Sequence, residues 1–174
     1  MQRICYFYFM DALDVISLDD AKNELNITWT LSAGDIKILT RCIKTAVSWI
    51  ETYTDYYLYE RDLTIDSLAC GNRVFIYPVS IINVKDSDGN VLPTDDYDIK
   101  VFPLYTAIYA GCDNTIDLKV GYSEASQSDI PQQLISACMK LITYLYENRD
   151  AYPTELPIDI QLLVNQLRRN ISFS

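Results

Sequence analysis

The sequence predicts an α+β fold: a helical bundle core of about four helices with an inserted antiparallel β region. Three observations predict it. Apolar residues recur at helical spacing up to residue 54 and again after residue 129. Between about 63 and 122 the period falls to two, as half-buried strands require. The strongest turn signal, Asp86-Ser87-Asp88-Gly89-Asn90, sits inside that middle stretch. At 174 residues, 49% hydrophobic and 22% charged, the chain is close to one average domain and long enough to bury a core without metal or disulfide staples. The expected organisation is a single domain over 1–174, with a helical core at about 17–54 and 129–169, a β insertion at about 63–122 and an N-terminal arm at 1–14.

Taken in order, Met1 to Met10 carries one Arg and seven apolar residues before Asp11, with no small-residue cleavage site. That is too short for a membrane span and wrong for a secretory leader, so it reads as an edge strand or as an arm that packs on a neighbour. Ser17-Leu18-Asp19-Asp20 has the form of a capping box, and Leu18, Ala21 and Leu25 then share one face of a short helix. Ser32-Ala33-Gly34-Asp35 is a second cap, followed by the stripe Ile36, Leu39, Ile43, Ala46, Val47, Ile50 of a helix running to about Thr54. Arg73 to Tyr77 and Val79 to Lys85 are β-rich, with Pro78 breaking them, and Asp88-Gly89 suits a tight hairpin. Tyr97, Ile99 and Val101 alternate with Asp98 and Lys100, as Ile116, Leu118 and Val120 do with Asp117 and Lys119. After Ser128, Asp129 is placed to cap, with Pro131 and Gln132 in the first turn of a helix of about twenty residues reaching Asn148. Its stripe is Leu134, Cys138, Leu141, Ile142 and Leu145. Pro153 and Pro157 bracket a loop, and Ile160, Leu163, Val164 and Leu167 mark a last helix whose Arg168 and Arg169 suit its negative end.

What the sequence lacks narrows its chemistry. There is no histidine, so no Ser-His-Asp or Cys-His pair and no imidazole base. A net charge of −10 removes the overall basic footprint of nucleic-acid binders, leaving Arg168-Arg169 as a local basic pair. The five cysteines form no CxxC and are read as buried thiols of a reduced, intracellularly made chain. Five scattered glycines build no phosphate loop. The turn at Asp86 does not fit a calcium loop, because counting back from Gly89 puts Val84 at the first ligand position. Asp95, Asp96 and Asp98 read either as a solvated edge or as a carboxylate cluster for metal-assisted hydrolysis. Fourteen tyrosines, with Tyr53, Tyr56, Tyr57 and Tyr59 clustered, are either core rim or contact residues, and the balance favours contact. Tyr144 and Tyr146 lie off the stripe of the third long helix and add to that reading.

The order of these signals resembles the head–tail connector (head completion or adaptor) proteins of tailed bacteriophages. The residues that carry the resemblance are Ser17 to Lys22, the helix ending Ala46-Val47-Ser48-Trp49-Ile50-Glu51-Thr52-Tyr53-Thr54, and the turn at 86–90 followed by Asp96-Tyr97. They continue with Val120-Gly121-Tyr122, Ile130-Pro131-Gln132-Gln133-Leu134 and Leu145-Tyr146-Glu147-Asn148-Arg149, so the resemblance covers roughly 15–169. It implies a structural virion protein and not an enzyme, with no cofactor and no membrane partner. Such subunits are made in the host cytoplasm and form a ring, commonly of twelve, below the portal protein at the capsid vertex. There they extend the DNA channel, which DNA passes without specific binding, and dock the tail or a stopper.

A ring built head to tail needs two different complementary patches on each subunit. The candidates are the outer side of the third long helix, Lys140, Tyr144 and Glu147 with Arg149 at its end, and the β insertion, with Tyr56 and Tyr57 as further contacts. The segment from Ile160 to Ser174, with Leu167, Arg168 and Arg169, is the candidate for reaching the portal. Two other classes stay open: a metal-dependent carboxylate hydrolase using Asp95, Asp96 and Asp98, and an acidic regulator that mimics DNA.

Overall fold

The computed structural model describes residues 4–8, 11–66, 73–76, 79–102, 105–109, 113–149 and 153–167. The fold is mixed α+β, and the chain divides into two compact units: Met1–Met10 with Tyr59–Ser123, and Asp11–Leu58 with Glu124–Ser174.

The second unit is helical. Among the described residues it contains α1 (Ala12–Val15), α2 (Leu18–Glu24), α3 (Ala33–Thr54), α4 (Gln132–Glu147) and α5 (Ile158–Val164), five helices where about four were expected, α1 being a single turn. Both capping boxes form. The Ser17 and Ser32 hydroxyls accept from the N–H groups of Asp20 and Asp35, whose carboxylates in turn accept from the serine N–H groups. That satisfies donors which the first turn leaves open. A third box, Asp11 with Asp14, starts α1 and had no counterpart in the sequence reading. α3 packs on α4, which packs on α5, while α1 and α2 lie against α3. Leu39, Ile43 and Ile50 of α3 meet an apolar set from α4, Leu134, Leu141, Ile142 and Leu145, all fully buried. Each such side chain contributes roughly 1.5–3 kcal/mol on leaving water. Cys42 and Cys138 lie in the same core as free thiols. Burial raises the pKa of each, so neither is a reactive cysteine.

Several expectations are corrected here. Ile36 leaves the α3 stripe and faces solvent, because it sits in the first turn beyond the reach of the packed helices. Asp129 does not cap α4: residues Glu124–Asp129 form a 3-10 turn, Pro131 occupies the N-cap, and no side chain bonds there. α4 is therefore 16 residues long and not twenty. α5 stops at Val164, and a turn carries the chain through Leu167. Arg168 and Arg169 lie outside the described residues, as do Tyr77 and Pro78.

The first unit is built of β-strands: β1 (Ile4–Tyr8), β2 (Arg61–Asp66), β3 (Arg73–Ile76), β4 (Val79–Lys85), β5 (Asp98–Phe102), β6 (Tyr105–Tyr109) and β7 (Thr115–Val120). They form two antiparallel sheets, β1-β2-β7-β4 and β3-β6-β5. The aromatic start is thus an edge strand, with Ile4 opposite Ile65 and Tyr8 opposite Arg61. β7 shows the alternation read from sequence, burying Ile116, Leu118 and Val120. Leu63, Ile65 and Val84 complete that buried layer. In the smaller sheet β6 is the middle strand and buries Thr106, Ala107 and Ile108 in succession, as a strand covered on both faces does.

The turn at 86–90 forms as predicted, with Gly89 at φ +85° and Asp86 Oδ1 accepting from the N–H groups of Asp88 and Asn90. It does not launch a second long strand. One bridge, Lys85 to Val91, follows it, and β4 instead pairs along its length with β7. The alternation of β5 also carries less burial than expected: Val101 is 74% exposed, because β5 stands at the end of its sheet order.

Candidate functional site

On the helical unit, Lys140, Tyr144 and Glu147 recur at i, i+4 and i+7 on α4, beside the buried stripe. The fold brings them together around one hollow of about 230 Å³. α2 adds Glu24 from its last turn, and α5 adds Asp159 from its first. Three carboxylates therefore surround a single ammonium. Of its lining, Tyr144 is 37% exposed. On the outer face of α5, outside that lining, Ile158 and Leu162 stand four apart and are 75% and 67% exposed.

The remaining sequence candidates scatter. Arg149 folds back on its own helix end, its Nε donating to the Tyr146 carbonyl at 3.0 Å and its guanidinium lying over the Tyr146 ring. Tyr56 is 3% exposed and belongs to the core, whereas Tyr57 is half-buried. Tyr53 ties the end of α3 to the end of α5, its hydroxyl donating to Asn165 Oδ1 at 2.8 Å. Leu167 is half-buried in the turn after α5.

On the sheet unit, the polar face of β2, β7 and β4 encloses a hollow of about 370 Å³ lined by Asp62, Thr64, Asn83, Asp117 and Lys119. Its charges pair across strands. Lys85 Nζ lies 2.5 Å from Asp117, Thr64 Oγ1 donates to the same carboxylate, and Lys119 Nζ lies 3.2 Å from Glu60. Burial pushes the Asp117 carboxyl up, but the Lys85 and Thr64 hydrogen bonds and the Lys85 charge outweigh it and hold it below the usual carboxylate range. Asp95 and Asp96 sit exposed in a 3-10 turn at Thr94–Asp96, and Asp98 pairs with Lys100 at 3.4 Å. They do not converge. Among the described residues no three acidic or cysteine side chains gather as a metal site requires.

Sequence reasoning missed Glu24 and Asp159, since only tertiary packing places them beside α4. It also missed the outer face of α5, for which a signal existed. Ile158, Ile160, Leu162, Leu163 and Val164 are more apolar residues than one buried stripe of two turns uses.

No family model and no curated relative matches the sequence. In structure the chain is similar over 98% of its length to a chain from the virion of the native gene transfer agent particle, with a TM-score of 0.76, 18% identity and 98% of that chain covered. It is similar at 0.75 and 18% to a chain from the neck of the empty particle computed with C6 symmetry, and at 0.73 and 18% to one from the neck of the native particle computed with C12 symmetry. Each of these last two matches covers 99% of this chain and 98% of the other. The fold is thus shared with chains from the gene transfer agent particle and its neck. Among the described residues no helix is long and apolar enough to cross a membrane.

Proposed function

We propose that this chain is a structural, non-enzymatic subunit of the neck of a tailed-phage-like particle, acting as a head–tail connector. Its work is shape. A ring of copies, twelve in number, sits below the portal, extends the DNA channel and docks the tail or stopper. The single observation that carries this reading is the two-way coverage of the structural match, which leaves neither chain an unmatched domain of its own. The composition is consistent with it. A subunit of net charge −10 offers DNA little counterion-release affinity, so a duplex slides past a wall of such subunits without being held. The whole chain acts as one connector domain, its helical unit carrying Lys140, Tyr144 and Glu147 as a contact surface and its C-terminal segment reaching the portal.

The test is deletion of the gene from the genome that encodes it, followed by electron microscopy of the particles. Filled heads without tails, restored to joined particles by the gene in trans and showing a twelve-fold ring at the vertex, are the expected result. Joined particles in the deletion strain overturn it.

A further inference from the structure

The hollow on the helical unit has a counterpart on the same unit. α3 turns its buried stripe inward, and the residues half a turn away, Lys37, Arg41 and Lys44, recur at i, i+4 and i+7 on its outer face. All three are exposed. Lys44 reaches the Asp11 carboxylate at 2.7 Å, while Lys37 lies on the solvent side of the second turn, next to the exposed apolar Ile36. In a chain with only 14 basic residues against 24 acidic ones, three on one helix face are a local concentration of basic side chains, of which Lys44 is paired with Asp11. The hollow has the opposite make-up: Glu24, Glu147 and Asp159 outnumber Lys140, and α5 also carries the exposed apolar Ile158 and Leu162.

We infer that these two faces are the two halves of the subunit–subunit contact, the outer face of α3 of one copy seating against the α4–α5 hollow of the next. The occupant is a second copy of this chain. Three arguments select it. The charges are complementary, which gives a contact its orientation. The faces differ from each other, as a head-to-tail ring demands and a two-fold dimer does not. A structural relative comes from a neck computed with C12 symmetry, an arrangement that repeats one such contact around an axis. The inference rests on the neck reading and deepens it, because it moves the second patch from the β region to α3.

Two measurements on particles decide it. In the first, purified wild-type particles are treated with a carbodiimide, which joins an amine to a carboxylate in contact with it, and the band of twice the subunit mass is excised and sequenced by mass spectrometry. A Lys37 link to Glu147, Asp159 or Glu24 is expected. Doubled bands linked only elsewhere, or Lys37 linked to a different protein, overturn the inference while the neck reading stands. Particles that contain none of this chain refute the neck reading itself.

In the second, the deletion strain is complemented with Lys37→Glu/Arg41→Glu, with Glu147→Lys/Asp159→Lys, or with all four changes together. Each pair reversal is expected to lower the yield of joined particles at least about tenfold, and the fourfold exchange to restore it to within about threefold. Reversals without effect, or a fourfold variant as poor as its halves, overturn the inference. Thermal melts of the purified variants guard against misfolding, and the wild-type crosslink stands independently of them.

Discussion

At Gly121 the backbone stands at φ +93°, and a Cβ there would lie 2.0 Å from the Tyr59 carbonyl oxygen. Neither atom is the end of a side chain that can swing away. Gly121→Ala is expected to destabilise the chain by about 3 kcal/mol or to prevent folding, read as the urea midpoint. Gly89 is the control. Its φ is also positive, yet nothing lies within 4 Å of a Cβ, so Gly89→Ala is expected to cost only about 1–2 kcal/mol for the left-handed backbone. Asp117 carries a pH signature. Its folded pKa is lowered from 3.8, so the folded state binds fewer protons there than the unfolded one. The stability this adds is complete above about pH 4 and is lost as pH falls through the lowered value. Asp117→Asn is therefore expected to move the urea midpoint more at pH 7 than at pH 3. Equal shifts at both would assign the effect to packing and not to charge.

Among the elements, α4 and α5 show opposite economies. Leu141 is fully buried, so Leu141→Ala is expected to cost about 2–5 kcal/mol, while Leu162→Ala on the outer face of α5 is expected to stay within about 0.5 kcal/mol in the isolated chain. Chemical denaturation of the two variants checks both. The helices were the most legible part of the sequence, because caps such as Ser32 with Asp35 and stripes such as Leu134 to Leu145 are set within a few residues of each other. The miss at Asp129 has a local cause as well. Pro131 could occupy the N-cap itself, and the residues before it were satisfied by a 3-10 turn. Strand pairing was less legible. β7 reads cleanly as a strand from Ile116, Leu118 and Val120, yet nothing in that alternation says that β2 and β4 flank it. The hollow was half legible: helical spacing gathers Lys140, Tyr144 and Glu147, whereas Glu24 and Asp159 arrive from helices far away in sequence.

For the whole molecule, the acid excess sets what it does not hold. Purified protein is expected to leave duplex DNA unshifted in a gel at roughly 0.1 M salt, since no overall basic footprint neutralises phosphates. Retardation that weakens steeply with salt would instead locate a cationic surface at odds with a sliding duplex. The division into units has its own consequence. The backbone passes between them at residues 10–11, 58–59 and 123–124, so the larger sheet draws its strands from stretches separated by a whole helical segment. β1 leaves the ribosome about sixty residues ahead of β2, the strand it must zip against. Until α3 has been synthesised and the chain turns back, that early strand waits with its amides unmatched, and the sheet unit then has all its strands at Ser123, before α4, the helix on which α3 packs, has been made.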